Sequence, residues 1–375
     1  MAAIFTPGLK VAADTVILKD RRLPIEGELL VSEGDQVTAD QIVARTQLPG
    51  KIYPINVANQ LGVAANRLKT FMLKDVGDSV EEGEVVARTP GILGLFKSES
   101  IAIVSGTIES ISTISGEVIF QANPIPVEID AYINGHVVEM HPREGCVVQA
   151  NATMIQGIFG LGGETKGQLV MGVSEPTEVL KGDAITADMA GQIVIGGSYL
   201  TIDALKRAAD VGVAGVVTGG FDYDDIKMLL GYEVGVAITG NEDLGLTLVV
   251  TEGFGEIQMA PGTFALLKER VGQRASINGA TQIRAGVIRP EVVVTDDSGQ
   301  APKERWTPPE PTGISIGDQI RGIRAPYFGR IGRVKSLPVD LMTMESETRV
   351  RIMEVEFEDG EVAMLPRANV ESIER

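Results

Sequence analysis

Apolar residues in the first half of the chain come in short alternating runs, and the runs break at Gly-Asp pairs. GELLVSEGD (27–35) alternates up to such a pair, and QIVART (41–46) resumes the pattern beyond it. Alternation with period two buries one side of each strand, and Gly-Asp supplies backbone freedom and local hydrogen bonding for a turn. The unit recurs. GDQVTADQIVART (34–46) aligns without a gap on GDSVEEGEVVART (77–89), GDAITAD (182–188) nearly reproduces the opening GDQVTAD, and GCVVQANATMIQG (145–157) is a weaker echo. The pattern predicts a β-turn-β element at each copy and a β-rich region over 1–190.

From residue 191 the rhythm changes. QIVIGG (192–197), VAGVVTGG (213–220), VGVAITG (234–240) and LTLVVTEGFG (246–255) read as strands. TIDALKRAADVG (201–212), DYDDIKMLLG (222–231) and APGTFALLKERVG (260–272) fall between or after them with helical spacing. Strands alternating with helices predict a small α/β domain over 191–294 with a largely parallel sheet. Ligands of such sheets bind beyond the carboxyl ends of the strands. The candidate ligand-binding residues are therefore Gly219, Gly220 and Asp222, then Thr239, Gly240 and Asn241, and then Thr251, Glu252 and Gly253. The same glycines also suit plain strand-to-helix turns, and Asp222 suits a helix cap.

Residues 295–312 are polar and proline-rich and read as a linker. IGDQIRGIRAPYFGRIGRVKSLP (316–338) follows, and it changes the electrostatic picture. The chain holds 33 basic and 51 acidic residues, a net charge of −18, yet 313–335 holds five basic residues and one acidic, net +4. Residues 336–375 hold four basic and ten acidic, net −6, so the C-terminal unit is polarised. Arg321, Arg324, Tyr327, Phe328, Arg330, Arg333 and Lys335 are the candidate partner-binding residues, for a phosphate backbone or an acidic protein surface.

Two resemblances add to this reading. Gly317-Asp318, Ile320-Arg321, Pro326-Tyr327-Phe328-Gly329 and Gly332-Arg333-Val334 resemble the KOW motif of NusG-type elongation factors and ribosomal proteins. That resemblance implies an SH3-like barrel over 313–375 that contacts RNA, ribosomal protein or polymerase. The Gly-Asp repeats, with SGTIESISTISGEVIF (105–120), resemble the barrel-sandwich hybrid of lipoyl and biotinyl carrier domains. A carrier implies a modified lysine at a hairpin tip. Lys97 lacks the flanking Met or Asp of such a site and reads as a surface lysine.

The remaining chemistry is sparse. Cys146 is the single cysteine, so neither an internal disulfide nor a thiolate metal cluster forms. His136 and His141 stand five apart, and on a regular strand they face opposite ways, so a shared ion needs a bulge. GIFGLGGE (157–164) is followed by an alternating run rather than a helix, which reads as a turn between strands and not a phosphate loop. No histidine follows 141, so the α/β segment has no Ser-His or Cys-His pair. The sequence calls for no cofactor or metal, and lacks a leader or a membrane-spanning run, which points to the cytoplasm. The functional expectation is a non-enzymatic, multi-domain binding or scaffold protein, associated with transcription or translation machinery, whose C-terminal unit meets a protein or RNA partner. The alternative is a small-ligand-binding protein or enzyme using the strand-end loops.

Overall fold

The computed structural model describes residues 9–90, 97–230, 244–282, 288–296, 314–322, 326–327, 330–338, 341–343, 349–357 and 360–372 of the chain. The fold is β-rich, with a large mixed sheet and a half-barrel sheet. Among the described residues, four apolar clusters form its cores.

The large sheet has eleven strands. Its centre is the strand Gly145–Gln156, buried along nearly all its length. Val11–Arg22 pairs antiparallel with it from Val11 opposite Ile155 to Arg22 opposite Gly145. Its other edge is shared: Gly135–His141 takes the first half and Glu291–Thr295 the second. Beyond Glu291–Thr295 come Arg274–Asn278 and Glu164–Met171, both antiparallel. The sheet then turns parallel through Ile193–Ile195, Gly215–Phe221 and Thr247–Phe254. So the sheet runs continuously across residue 190, and Glu164–Met171 sits inside it.

The parallel strands are apolar on both faces, as a sheet covered on both sides requires. The helix Ile202–Val211 begins at Thr201, whose hydroxyl accepts the Ala204 N–H at 3.2 Å, and ends at Gly212. It buries Ala204, Leu205 and Ala208 in the central core. The helix Pro261–Glu269 buries Phe264, Leu266 and Leu267. Residues 234–240 lie outside the described residues.

Residues 51–122 leave and rejoin the fold between two paired strands, Ile42–Leu48 and Ile125–Asp130, with Leu48 opposite Ile125. They hold a separate core, with Leu68, Val86, Ile108, Val118 and Phe120 at its centre.

The first two Gly-Asp copies fold alike. Gly34 and Gly77 have φ of 90° and 92°, the left-handed region that glycine enters freely. Each donates its N–H across at 2.8 Å, Gly34 to the Val137 carbonyl and Gly77 to that of Ile108. Asp35 accepts the Ser32 N–H at 2.8 Å, and Asp78 accepts the Asp75 N–H at 2.7 Å. Glu28–Leu29, before the pair, lies antiparallel to Ile42–Leu48 in a three-stranded sheet, with Leu29 opposite Ala44. Gln36–Val37, directly after the pair, joins the large sheet instead, so the motif is a corner between sheets. The C-terminal unit repeats it: Gly317 has φ 97° and donates to the Val334 carbonyl at 2.8 Å, and Asp318 accepts the Ser315 N–H at 2.7 Å.

The copy at 182–188 folds differently, into two 3-10 turns, Gly182–Ala184 and Ala187–Met189. Val179–Leu180 is already committed to parallel pairing with Tyr199–Leu200, and Ile185 and Met189 are drawn into the central core. Tertiary packing overrides the local motif there. Among the described residues, no helix is long and apolar enough to cross a membrane.

Asp78→Ala removes a corner hydrogen bond and should lower stability by about 1 kcal/mol. Gly77→Ala adds left-handed strain of about 1–2 kcal/mol. Asp183→Ala, exposed in a copy without the corner, should stay within about 0.5 kcal/mol of wild type. Urea titrations of the full chain rank the three, and equal effects would refute the distinction.

Candidate functional site

The basic C-terminal element folds as two antiparallel strands, Gln319–Gly322 and Ile331–Ser336, with Gln319 opposite Arg333 and Arg321 opposite Ile331. Ile320 and Val334 point into the core, so alternation sends Arg321, Arg333 and Lys335 to the other face. Each then meets an acceptor. Lys335 pairs with Glu356 at 3.2 Å, and Arg333 lies 3.5 Å from the Gly317 carbonyl. Arg330 binds Glu361 at 2.7 Å, with its guanidinium 4.2 Å from the centre of the Phe357 ring. Tyr327 stacks on Phe357, centroids 5.0 Å apart and 16° from parallel. Arg324 and Phe328 lie outside the described residues.

Arg321 reaches furthest. Its Nη1 sits 2.6 Å from Oε2 of Glu252, on the carboxyl edge of the parallel sheet, and the two side chains are 13% and 8% exposed. The other oxygen of Glu252 accepts the Ala260 N–H at 3.0 Å, where the helix Pro261–Glu269 begins. One carboxylate thus joins a strand end, a helix start and the C-terminal unit.

The strand-end candidates come together in part. Gly220 lies opposite Gly253, and the Thr251 hydroxyl donates to the Thr218 carbonyl at 3.2 Å. The space beyond them is filled by backbone: a Cβ on Gly219 or Gly220 would strike the carbonyl oxygens of Ile257 and Gly255. These glycines serve close main-chain packing. Asp222 accepts the Asp224 N–H at 2.9 Å at the start of the helix Tyr223–Leu230. Thr239, Gly240 and Asn241 lie outside the described residues. Nearby, the Tyr199 hydroxyl donates to Asp225 at 3.2 Å. Burial, then Asp225, Asp222 and Glu256, push its phenol up to about 12.

A larger feature escaped the sequence reading. A cleft of about 590 Å³ lies where Val11–Arg22 and Ile125–Asp130 meet Glu164–Met171 and Arg274–Asn278. A chain of alternating charge lines it. Glu164 takes Arg21 through two 2.7 Å contacts, and Arg21 also donates to the Asp130 carbonyl at 2.8 Å. Asp130 then pairs with Lys166, Lys166 lies 3.5 Å from Asp40, and Asp40 binds Arg274 at 2.7 Å. Burial alone would raise the Asp40 carboxyl, but Arg274 and Lys166 together hold it below its ordinary value. Behind the chain lies Tyr132, fully buried with φ 66°, its ring 5.7 Å from Lys19 Nζ and 5.3 Å from the Arg21 guanidinium. Burial, then Glu291 and Glu164, push its phenol well up. These residues are up to 253 positions apart, from Arg21 to Arg274, so no local pattern marks them.

The histidines stay separate. The strand Gly135–His141 does carry a bulge, between Val137 and Glu139. His136 is nonetheless buried with Nδ1 unpartnered, while His141 lies 3.1 Å from Asp20. Among the described residues, no group of three or more His, Cys, Asp or Glu side chains is placed to hold a metal ion. Residues 157–164 join the strands Phe159–Leu161 and Glu164–Met171, with no helix opening there. Lys97 is exposed. No protein-family model matches the chain, and no curated protein matches it.

Lys166 is 11% exposed and Arg274 is 51% exposed. Lys166→Ala removes the nearer of two cations on Asp130, leaving Arg21 at 3.4 Å, and should cost about 2 kcal/mol, while Arg274→Ala should cost less than about 1 kcal/mol. Because Asp40 has a depressed carboxyl pKa in the fold, its contribution is present above the unfolded value and lost as acid protonates it. The melting midpoint should therefore fall below about pH 4, and less so in Asp40→Asn. Thermal melts across that range check both statements.

Burial raises the Cys146 thiol to about 11. The native thiol should resist a disulfide reagent at pH near 8 and react at once in denaturant. Rapid labelling of native protein would contradict the buried placement.

Proposed function

We propose that this protein is a non-enzymatic, multi-domain binding scaffold of the cytoplasm whose C-terminal unit recognises a protein partner. The N-terminal corners are read as barrel-sandwich hybrid-like scaffold and the half-barrel sheet as a KOW-like, SH3-like module. The shared Gly-Asp corner, with the same two hydrogen bonds at 34–35, 77–78 and 317–318, supports that reading. A place beside the transcription or translation machinery follows from the KOW resemblance.

One observation favours protein over RNA. Tyr327 is stacked on Phe357, and Arg330 covers the Phe357 ring while holding Glu361. Those aromatic faces are occupied, whereas single-stranded nucleic acid is bound by stacking bases on open aromatic faces. A net charge of −18 also repels a polyanion at long range. The paired cations instead suit exchange of one carboxylate partner for another.

Pull-downs at low salt with purified ribosomes and RNA polymerase, beside filter binding of a single-stranded RNA, test the reading. The expected result is salt-sensitive retention on one of the protein assemblies, reduced at least about fivefold by Arg330→Ala with Arg333→Ala, and weak RNA binding. Tight RNA binding lost in the same double variant would overturn it.

A further inference from the structure

The basic element of this acidic chain already has a partner within the molecule. Arg321 leaves the C-terminal unit and closes on Glu252, at the carboxyl edge of the central sheet. That edge is acidic: Asp222, Asp225 and Glu256 all act on the Tyr199 phenol beside it. Arg321 of the basic element therefore rests on an edge rich in carboxylates. Glu252 is fixed for the role, because its second oxygen is held by the Ala260 N–H. A buried ion pair yields little net stability once desolvation is counted. Its geometry does specify where the C-terminal unit sits.

We infer that Glu252 stands in for the acidic surface that the C-terminal unit binds, and that a carboxylate-rich protein segment displaces it to capture Arg321. The inference rests on the partner reading given above. Docked, Arg321 is unavailable to an outside partner; undocked, it is added to Arg333 and to Arg330 and Lys335, which hold Glu361 and Glu356. The docked state lowers the apparent affinity by the fraction of molecules that are open. The Arg321–Glu252 contact is Coulombic, so docking weakens as salt shortens the screening length, less steeply for this buried pair than for an exposed one.

The test uses the full chain as wild type, Glu252→Gln and Arg321→Gln. Glutamine keeps the acceptor for the Ala260 N–H, so unchanged melting of Glu252→Gln separates undocking from unfolding. Small-angle scattering reads docking, and anisotropy of a labelled glutamate-rich peptide reads binding. The expected result is a larger radius of gyration in high salt and in both variants. Glu252→Gln should bind the peptide about tenfold tighter than wild type, and Arg321→Gln, equally extended, should bind it weakest. Equal peptide affinity of wild type and Glu252→Gln, or an unchanged radius throughout, overturns the inference. If the radius responds as expected and no form binds the peptide, the acidic-partner reading falls and the competition with it, while the docking contact stands.

Discussion

The strand Gly145–Gln156 is the constraint on which the architecture depends. Three strands hydrogen-bond to it, one along a full edge and two dividing the other. Its residues enter two cores at once: Cys146, Val148, Ala150, Ala152 and Met154 in the N-terminal cluster and Ile155 in the central one. A strand shared in this way cannot shift register by one residue without turning both cores inside out. The N-terminal β region and the α/β segment are therefore not free to move as separate beads on a chain. By contrast, residues 51–122 carry their own core and hang from two adjacent strands.

Electrostatics follows from that rigidity. Once Val11–Arg22 and Arg274–Asn278 are fixed on one sheet, Arg21, Lys166 and Arg274 must face Glu164, Asp130 and Asp40 across one cleft. Charges taken partly out of water need partners, and the alternating chain supplies them. The same rule governs the C-terminal unit, where Arg321, Arg330 and Lys335 each find a carboxylate. A local excess of positive charge in an acidic protein is thus used first for internal contact. What it offers an outside partner depends on how readily those contacts exchange.

The elements were legible where local rules were strong. Thr201 and Gly212 mark the ends of a helix by capping alone, and the strands at 193–195, 215–221 and 247–254 follow from their apolar runs. Gly-Asp announces a corner at 34, 77 and 317 because only glycine enters the left-handed region freely while the following carboxylate holds the turn. At 182 the same letters failed to set the backbone, since pairing of Val179–Leu180 and burial of Ile185 outweighed them. The candidate sites were legible as residue types and much less as geometry. Gly219 and Gly220, which suited a ligand loop or a plain turn, admit main chain, and Arg321, which suited a partner or a carboxylate of the chain, binds Glu252.

Sequence alone determined the local vocabulary of this protein: period-two strands, capped helices, glycine corners and a polarised C-terminal unit. Those features depend on interactions among residues a few positions apart, which the order of residues specifies directly. The tertiary structure alone decided that one strand serves two cores, that Arg21 meets Lys166's partner across a cleft, and that Glu252 receives Arg321. Such contacts join residues tens to hundreds of positions apart, and their geometry exists only after the sheet has fixed which backbones lie side by side.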